Sequence, residues 1–184
     1  RFRRLVEEWE AKGILREWCQ GFPSDTGPRL CDGHPRYKAV GGMTSLAKFL
    51  AKDIDVRFHT RAASFQVEDG RWRLATEGGE TFDADALILT PPAPQSLELL
   101  DASTSSVPEE ARKALAAIVY DPCIALLALL TGPSSVPEPG AIRFDQGPAA
   151  FLTDNHRKGI SPNGWSITIQ SGAEFAREQW DVED

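Results

Sequence analysis

Apolar positions recur along the chain with two periods, and the switches between them mark its elements. Phe2, Leu5, Val6 and Trp9 fall at i, i+3, i+4 and i+7, which predicts an amphipathic helix closed by Gly13. Short strands are expected at residues 17–22 and 36–40, with Pro23, Gly27 and Pro28 making a loop between them. After Gly41-Gly42, residues Leu46, Ala47 and Leu50 mark one face of a helix ending near Lys52. Ile54, Val56 and Phe58 then alternate with Asp55, Arg57 and His59, the period of a half-buried strand. Phe65 and Val67 continue the alternation to Asp69-Gly70, and Trp72 and Leu74 resume it beyond. An Asp-Gly pair supplies the positive φ of a tight hairpin turn, so Val67 and Trp72 are expected to pair. Gly78-Gly79 makes the next turn. Residues 84–90 are almost continuously apolar up to Pro91-Pro92, the pattern of a strand covered on both faces.

A small polar linker, 101–106, separates this stretch from a second pattern. Ser106-Val107-Pro108-Glu109 matches a capping box with proline in the first turn, and the helix it opens is expected to carry Ala111, Leu115 and Ile118 inward. Strands are expected at 123–130, 141–144, 149–153 and 165–171, joined by Pro/Gly loops into an antiparallel meander packed on helices. Residues 174–184 begin another amphipathic helix. The fold class is therefore α+β, with a largely antiparallel sheet plus helices. Two lobes are expected: 41–100, and a second made of 1–40 with 101–184.

Composition narrows the function classes. The 184 residues carry a net charge of −7 with no Lys/Arg cluster, so nucleic acid and anionic membrane surfaces are not expected partners. The longest uncharged apolar run, 123–130, is too short for a membrane span. No signal peptide is visible, and a cytoplasmic location is expected. Cys19, Cys31 and Cys123 form no C-x-x-C and read as small hydrophobes of a reducing compartment. His34, His59 and His156 are scattered, so neither a thiol–imidazole pair nor a metal site is expected. No Ser/His/Asp or paired-carboxylate arrangement assigns a catalytic residue, which stays unknown at this level.

Several segments share one resemblance. Arg1-Phe2-Arg3 with Val6, Trp9 and Gly13, then Gly42-Met43 with Ser45-Leu46, resemble the renalase-like group of FAD-dependent oxidoreductases, in the flavin-containing amine oxidoreductase superfamily. So do Asp69-Gly70-Arg71-Trp72-Arg73-Leu74, the run Leu87 to Gln95, Tyr120-Asp121-Pro122-Cys123, and Asp154-Asn155 with Lys158. The resemblance implies a fold like p-hydroxybenzoate hydroxylase. In it, residues 41–100 form part of a Rossmann-type FAD-binding domain, and 1–40 with 101–184 form the substrate-binding domain, built on a mixed, largely antiparallel sheet plus helices. A βαβ unit with the family's G-x-G-x-x-G lies upstream in relatives and a flavin motif downstream, so the chain is expected to be an interior piece. The parent is expected to use FAD, which this piece alone is not expected to retain.

The same resemblance implies oxidation of a reduced nicotinamide isomer by hydride transfer to the flavin, with dioxygen as acceptor. Ala62 falls where a related oxidase's Val touches adenine through its backbone. Thr90 and Pro91 end the apolar segment where nucleotides meet open α/β sheets, and Gly41 and Gly42 are candidates for close approach to the flavin. For substrate, Tyr120 and Phe175 are candidate walls, and Asn155 and Lys158 candidate polar contacts, with Lys158 facing a phosphate. The alternatives are an amine oxidase or desaturase-type flavoenzyme and, from another class, a non-enzymatic small-molecule-binding module.

Overall fold

A computed structural model describes residues 2–27, 32–104 and 107–182. In chain order its elements are α1 (Phe2–Ala11), β1 (Leu15–Cys19), β2 (Arg36–Ala39), α2 (Thr44–Leu50), β3 (Ala62–Glu68), β4 (Arg71–Thr76) and β5 (Thr81–Ala84). There follow α3 (Ala93–Asp101), α4 (Glu109–Ala116), β6 (Ala125–Leu130), β7 (Ala141–Arg143), β8 (Ala149–Asp154), β9 (Trp165–Ser171) and α5 (Ala173–Gln179). These gather into two compact units, Arg1–Ile54 with Asp121–Asp184, and Asp55–Tyr120. No helix among the described residues is long and apolar enough to cross a membrane.

In the first unit, α1 buries Val6 and Trp9, as its spacing requires. Gly13, at φ +69, turns the chain so that the Ile14 amide donates to the Trp9 carbonyl at 2.8 Å. Leu15 thus opens β1 opposite Ala39 of β2, two residues earlier than the expected strand. Trp9, Leu15 and Ala39 form a core on which Ile14, Tyr37, Leu46 and Phe49 pack. Burying a side chain such as Leu15 contributes roughly 1.5–3 kcal/mol before entropy. Because Leu46 and Phe49 belong to α2, that helix joins this unit. The structure therefore draws the boundaries at 54/55 and 120/121 rather than at the expected 40/41 and 100/101.

The larger sheet of this unit runs β6-β9-β8-β7, antiparallel at every ladder. Strands β7, β8 and β9 form the expected meander, but β6 lies beside β9 instead of β7. The expected mixed sheet is not seen: every ladder between the described strands is antiparallel, and the parallel pairing of Ser24 with Arg143 is an isolated bridge.

In the second unit, β3, β4 and β5 form an antiparallel sheet. Asp69 at φ +50 and Gly70 at φ +78 make a two-residue turn with positive φ at both positions, and Val67 stands opposite Trp72. Phe65, 3% exposed, meets Trp72 edge-on at 5.6 Å. Its amide donates to Ser103 Oγ at 2.9 Å, tying β3 to the end of α3.

Several expectations fail. The alternating segment 54–59 is no strand: Ile54 is 65% and Phe58 78% exposed. Residues 85–90 are not a buried strand either, since the ladder ends at Ala84 and Ile88 is 84% exposed. Both patterns specify faces for a strand but not a neighbour, and backbone N–H and C=O groups need a ladder to make one. Among the described residues no strand lies beside either segment. Residues 93–101 form α3, an element not expected from the sequence, which takes in Asp101 of the expected linker and buries Ala93, Ser96 and Leu100. In α4 only Leu115 of the expected inward positions is half-buried, while Ala111 and Ile118 are exposed. Ser106 of the capping box lies outside the described residues, as do Pro28 and Cys31. Pro108 occupies the N-cap without a side-chain bond.

Candidate functional site

In the Asp55–Tyr120 unit the start of β3 and the start of α3 enclose a cleft of about 650 Å³. Its walls include Arg61, Ala62, Ala63, Glu77, Pro91 and Gln95. The pairing of β3 with β4 shifts register between Ala62 and Ser64, so Ala63 is an extra residue in the ladder. A bulge of this kind turns backbone groups toward a neighbouring space. The Arg61 carbonyl accepts from the Glu77 amide at 2.9 Å, and their side chains form an exposed ion pair at 3.3 Å. Ala62 and Pro91 are thus brought together on one cleft. Thr90 is exposed and does not line it.

Tyr120 belongs to this unit and holds α3: its hydroxyl accepts from the Ala93 amide at 2.9 Å. Pro94 follows without an N–H, so the first two α3 residues offer no free amide to a ligand. Gly41 and Gly42 lie in the other unit, in the turn from β2 to α2, at φ +80 and +102. Gly42's carbonyl accepts both the Ser45 amide at 3.0 Å and the Ser45 hydroxyl at 2.8 Å. The positive φ of the turn favours glycine at both positions, and a Cβ at either would meet no protein atom within 4 Å.

In that first unit, the loop after β8 carries Asn155 and Lys158. Asp154, 3% exposed, organises it: its carboxylate accepts from Ser134 Oγ at 2.5 Å and from the Arg157 amide at 2.9 Å. Asn155 is fixed by its Nδ2 donating to Thr168 Oγ1 at 3.0 Å. Gly140, at φ +84, lets the β7 approach pass this loop, since a Cβ there would lie 2.8 Å from Arg157 Cβ. Lys158 folds back so that its Nζ lies 4.2 Å from the centre of the Trp18 ring.

Trp18 sits where β1 shifts register against β2, between Glu17 and Cys19. Its Nε1 donates to the Pro139 carbonyl at 2.8 Å, and its ring meets Phe22 edge-on at 5.0 Å. Lys38 of β2 donates from Nζ to the Lys158 carbonyl at 2.5 Å. Burial, and then the charge of Lys38, hold the Lys158 ammonium below the usual lysine range. Sequence reasoning missed Trp18 and Lys38, because a lysine in an alternating strand reads as solvent-facing and its partner lies 120 residues away.

Phe175, on α5, walls a separate and almost wholly apolar cleft of about 290 Å³ with Ile124, Leu126, Pro148, Ala149 and Ile169. This cleft lies at the Ala149 end of β8, and the Lys158 loop follows its Asp154 end. Five strand steps separate them, roughly 16 Å at about 3.3 Å per residue. Phe175 and Lys158 are therefore not one cluster. No group of three or more His, Cys, Asp or Glu among the described residues is placed to hold a metal ion.

Against known proteins, the model of the family described as flavin containing amine oxidoreductase matches residues 9–163. Renalase of Mus musculus is 26% identical over 180 residues, 94% of this chain and 52% of that protein. The chain thus spans about half the length of that relative. Wild-type putrescine oxidase bound to putrescine superposes with a TM-score of 0.62 at 14% identity, over 81% of this chain and 33% of that one. A CLA-producing fatty acid isomerase from P. acnes gives a TM-score of 0.53 at 16% identity, over 78% and 32%. These two likenesses show a shared fold, and the differing chemistries of their names leave the reaction to the site residues.

Proposed function

Because the chain belongs to the flavin containing amine oxidoreductase family, we propose that it is part of a renalase-like FAD-dependent oxidoreductase. On this reading the Asp55–Tyr120 unit belongs to the FAD-binding domain and the other unit to the substrate domain, arranged as in p-hydroxybenzoate hydroxylase. The observation that carries it is the similarity to mouse renalase along 94% of the chain. The flavin, when bound, accepts a hydride from a reduced nicotinamide isomer and passes the electrons to dioxygen.

The cleft at Ala62 and Pro91 fits one end of such a cofactor. A bulged backbone beside a proline face suits a flat, uncharged heterocycle such as adenine. It does not suit the pyrophosphate, which needs free amides at a glycine-rich helix start. Among the described residues that line this cleft there is no glycine, and the α3 start is closed by Tyr120 and Pro94. In this reading Tyr120 orients α3 rather than touching substrate.

The Phe175 cleft supplies apolar walls that stack a flat ring and exclude water from it. Lys158, some way along β8, meets a phosphate through a charge-assisted contact, and Asn155 adds a fixed polar group beside it. A dinucleotide has the length to touch both ends of the strand, whereas a lone amine does not. Two lysines near one another also disfavour a cationic polyamine. Protein purified from the complete reading frame and mixed anaerobically with 6-dihydro-NAD is expected to lose its flavin colour within seconds. Benzylamine or a polyamine is expected to leave it yellow. Bleaching by an amine, with the dihydropyridine inert, replaces this reading with an amine oxidase.

A further inference from the structure

We infer that Lys38 and Lys158 together form an anion site that takes the phosphate group of a phosphorylated small molecule, with Trp18 as the platform that holds Lys158. The Lys38 side chain reaches the backbone of the loop that carries Lys158: its Nζ bonds the Lys158 carbonyl at 2.5 Å, while Lys158 Nζ rests 4.2 Å from the Trp18 ring centre. Gly159, at φ +77, leaves the room for this, since a Cβ there would stand 3.3 Å from Lys38 Nζ.

Both lysines are half-buried residues, and among the described residues no carboxylate forms a salt bridge with either. The carboxylate closest in sequence to Lys158, Asp154, is occupied by Ser134 and Arg157. The charge of Lys38 acts on the Lys158 ammonium, and with no carboxylate paired to either this repulsion raises the energy of the free state, in a chain whose net charge is −7. A bound anion removes that cost. Each ammonium has three N–H donors, of which Lys38 spends one on the carbonyl. The donors left over match a phosphate, with three acceptor oxygens and up to two charges, better than a single carboxylate.

Assignment of that phosphate to a dinucleotide substrate rests on the reading proposed above, whereas the site itself does not. The test is calorimetric titration of the purified protein with inorganic pyrophosphate at low ionic strength. Saturable one-to-one binding is expected. Lys38→Met and Lys158→Met are each expected to weaken it about tenfold or more, the effect of losing one charge-assisted hydrogen bond. Lys158→Arg is expected to retain binding, and Lys48→Met, exposed on α2, to match wild type. Denaturant midpoints check each fold; if Lys158→Met is unfolded, Lys38→Met carries the comparison. No saturable heat at millimolar pyrophosphate, or equal affinity in all variants, overturns the site. Pyrophosphate binding in a protein whose flavin ignores 6-dihydro-NAD keeps the anion site and removes the substrate reading. The reverse result removes only the anion site.

Discussion

Lys158 rests its ammonium on the face of Trp18, so the loop after β8 is clamped to the irregular point of β1. The indole faces two ways in function: its nitrogen is bonded to Pro139, and its π-face receives the charge. Trp18→Phe keeps a ring but removes the donor to the Pro139 carbonyl. Chemical denaturation is expected to show a loss of about 1 kcal/mol, the worth of one hydrogen bond. Trp18→Ala also removes the platform and the contact with Phe22, and is expected to cost roughly 3 kcal/mol or more.

Gly140 and Gly70 separate two reasons for glycine. Both have positive φ, but a Cβ at Gly140 would lie 2.8 Å from Arg157 Cβ, while at Gly70 nothing lies within 4 Å. Gly70→Val is therefore expected to cost only left-handed strain, roughly 1–2 kcal/mol. Gly140→Ala adds a clash with the loop after β8, and its denaturant midpoint is expected to fall further than that of Gly70→Ala. Equal shifts would show that the loop moves aside freely.

Asp154 gives the loop a defined response to acid. Burial by itself would raise its carboxyl, but the Ser134 hydroxyl, the Arg157 and His156 amides and the Arg157 charge outweigh it and hold it below the usual aspartate range. A carboxyl depressed on folding contributes stability that is complete above its unfolded value, about 3.9, and is lost as pH falls through the folded one. Stability curves for wild type and Asp154→Asn are expected to lie apart at neutral pH and to converge below about pH 4. Parallel curves down to low pH would mean the carboxylate is not the group that organises the loop.

Flavin retention tests the proposed role of the cleft at Ala62 and Pro91. With no glycine among the described residues that line the cleft of Ala62 and Pro91, the 184-residue chain is expected to bind FAD weakly or not at all. Titration should leave flavin fluorescence and its visible spectrum unchanged. A yellow protein as isolated would show that other groups hold the pyrophosphate.

What the sequence determined by itself is local. The α1 spacing, the Asp69-Gly70 turn with Val67 opposite Trp72, and the strands β6 to β9 could be read directly, because periodicity and turn chemistry act over a few residues. Tertiary structure decided what depends on a neighbour. Residues 54–59 and 85–90 carry strand patterns with no ladder beside them, and β6 takes its place next to β9 rather than β7. The site divided in the same way. Lys158 and Phe175 stood out as residue types in the sequence, yet their separation along β8, and the arrival of Lys38 and Trp18 at Lys158, came from pairings across more than a hundred residues. A sequence pattern fixes which face a side chain takes on its own element; which distant group meets that face is set by how the elements pack.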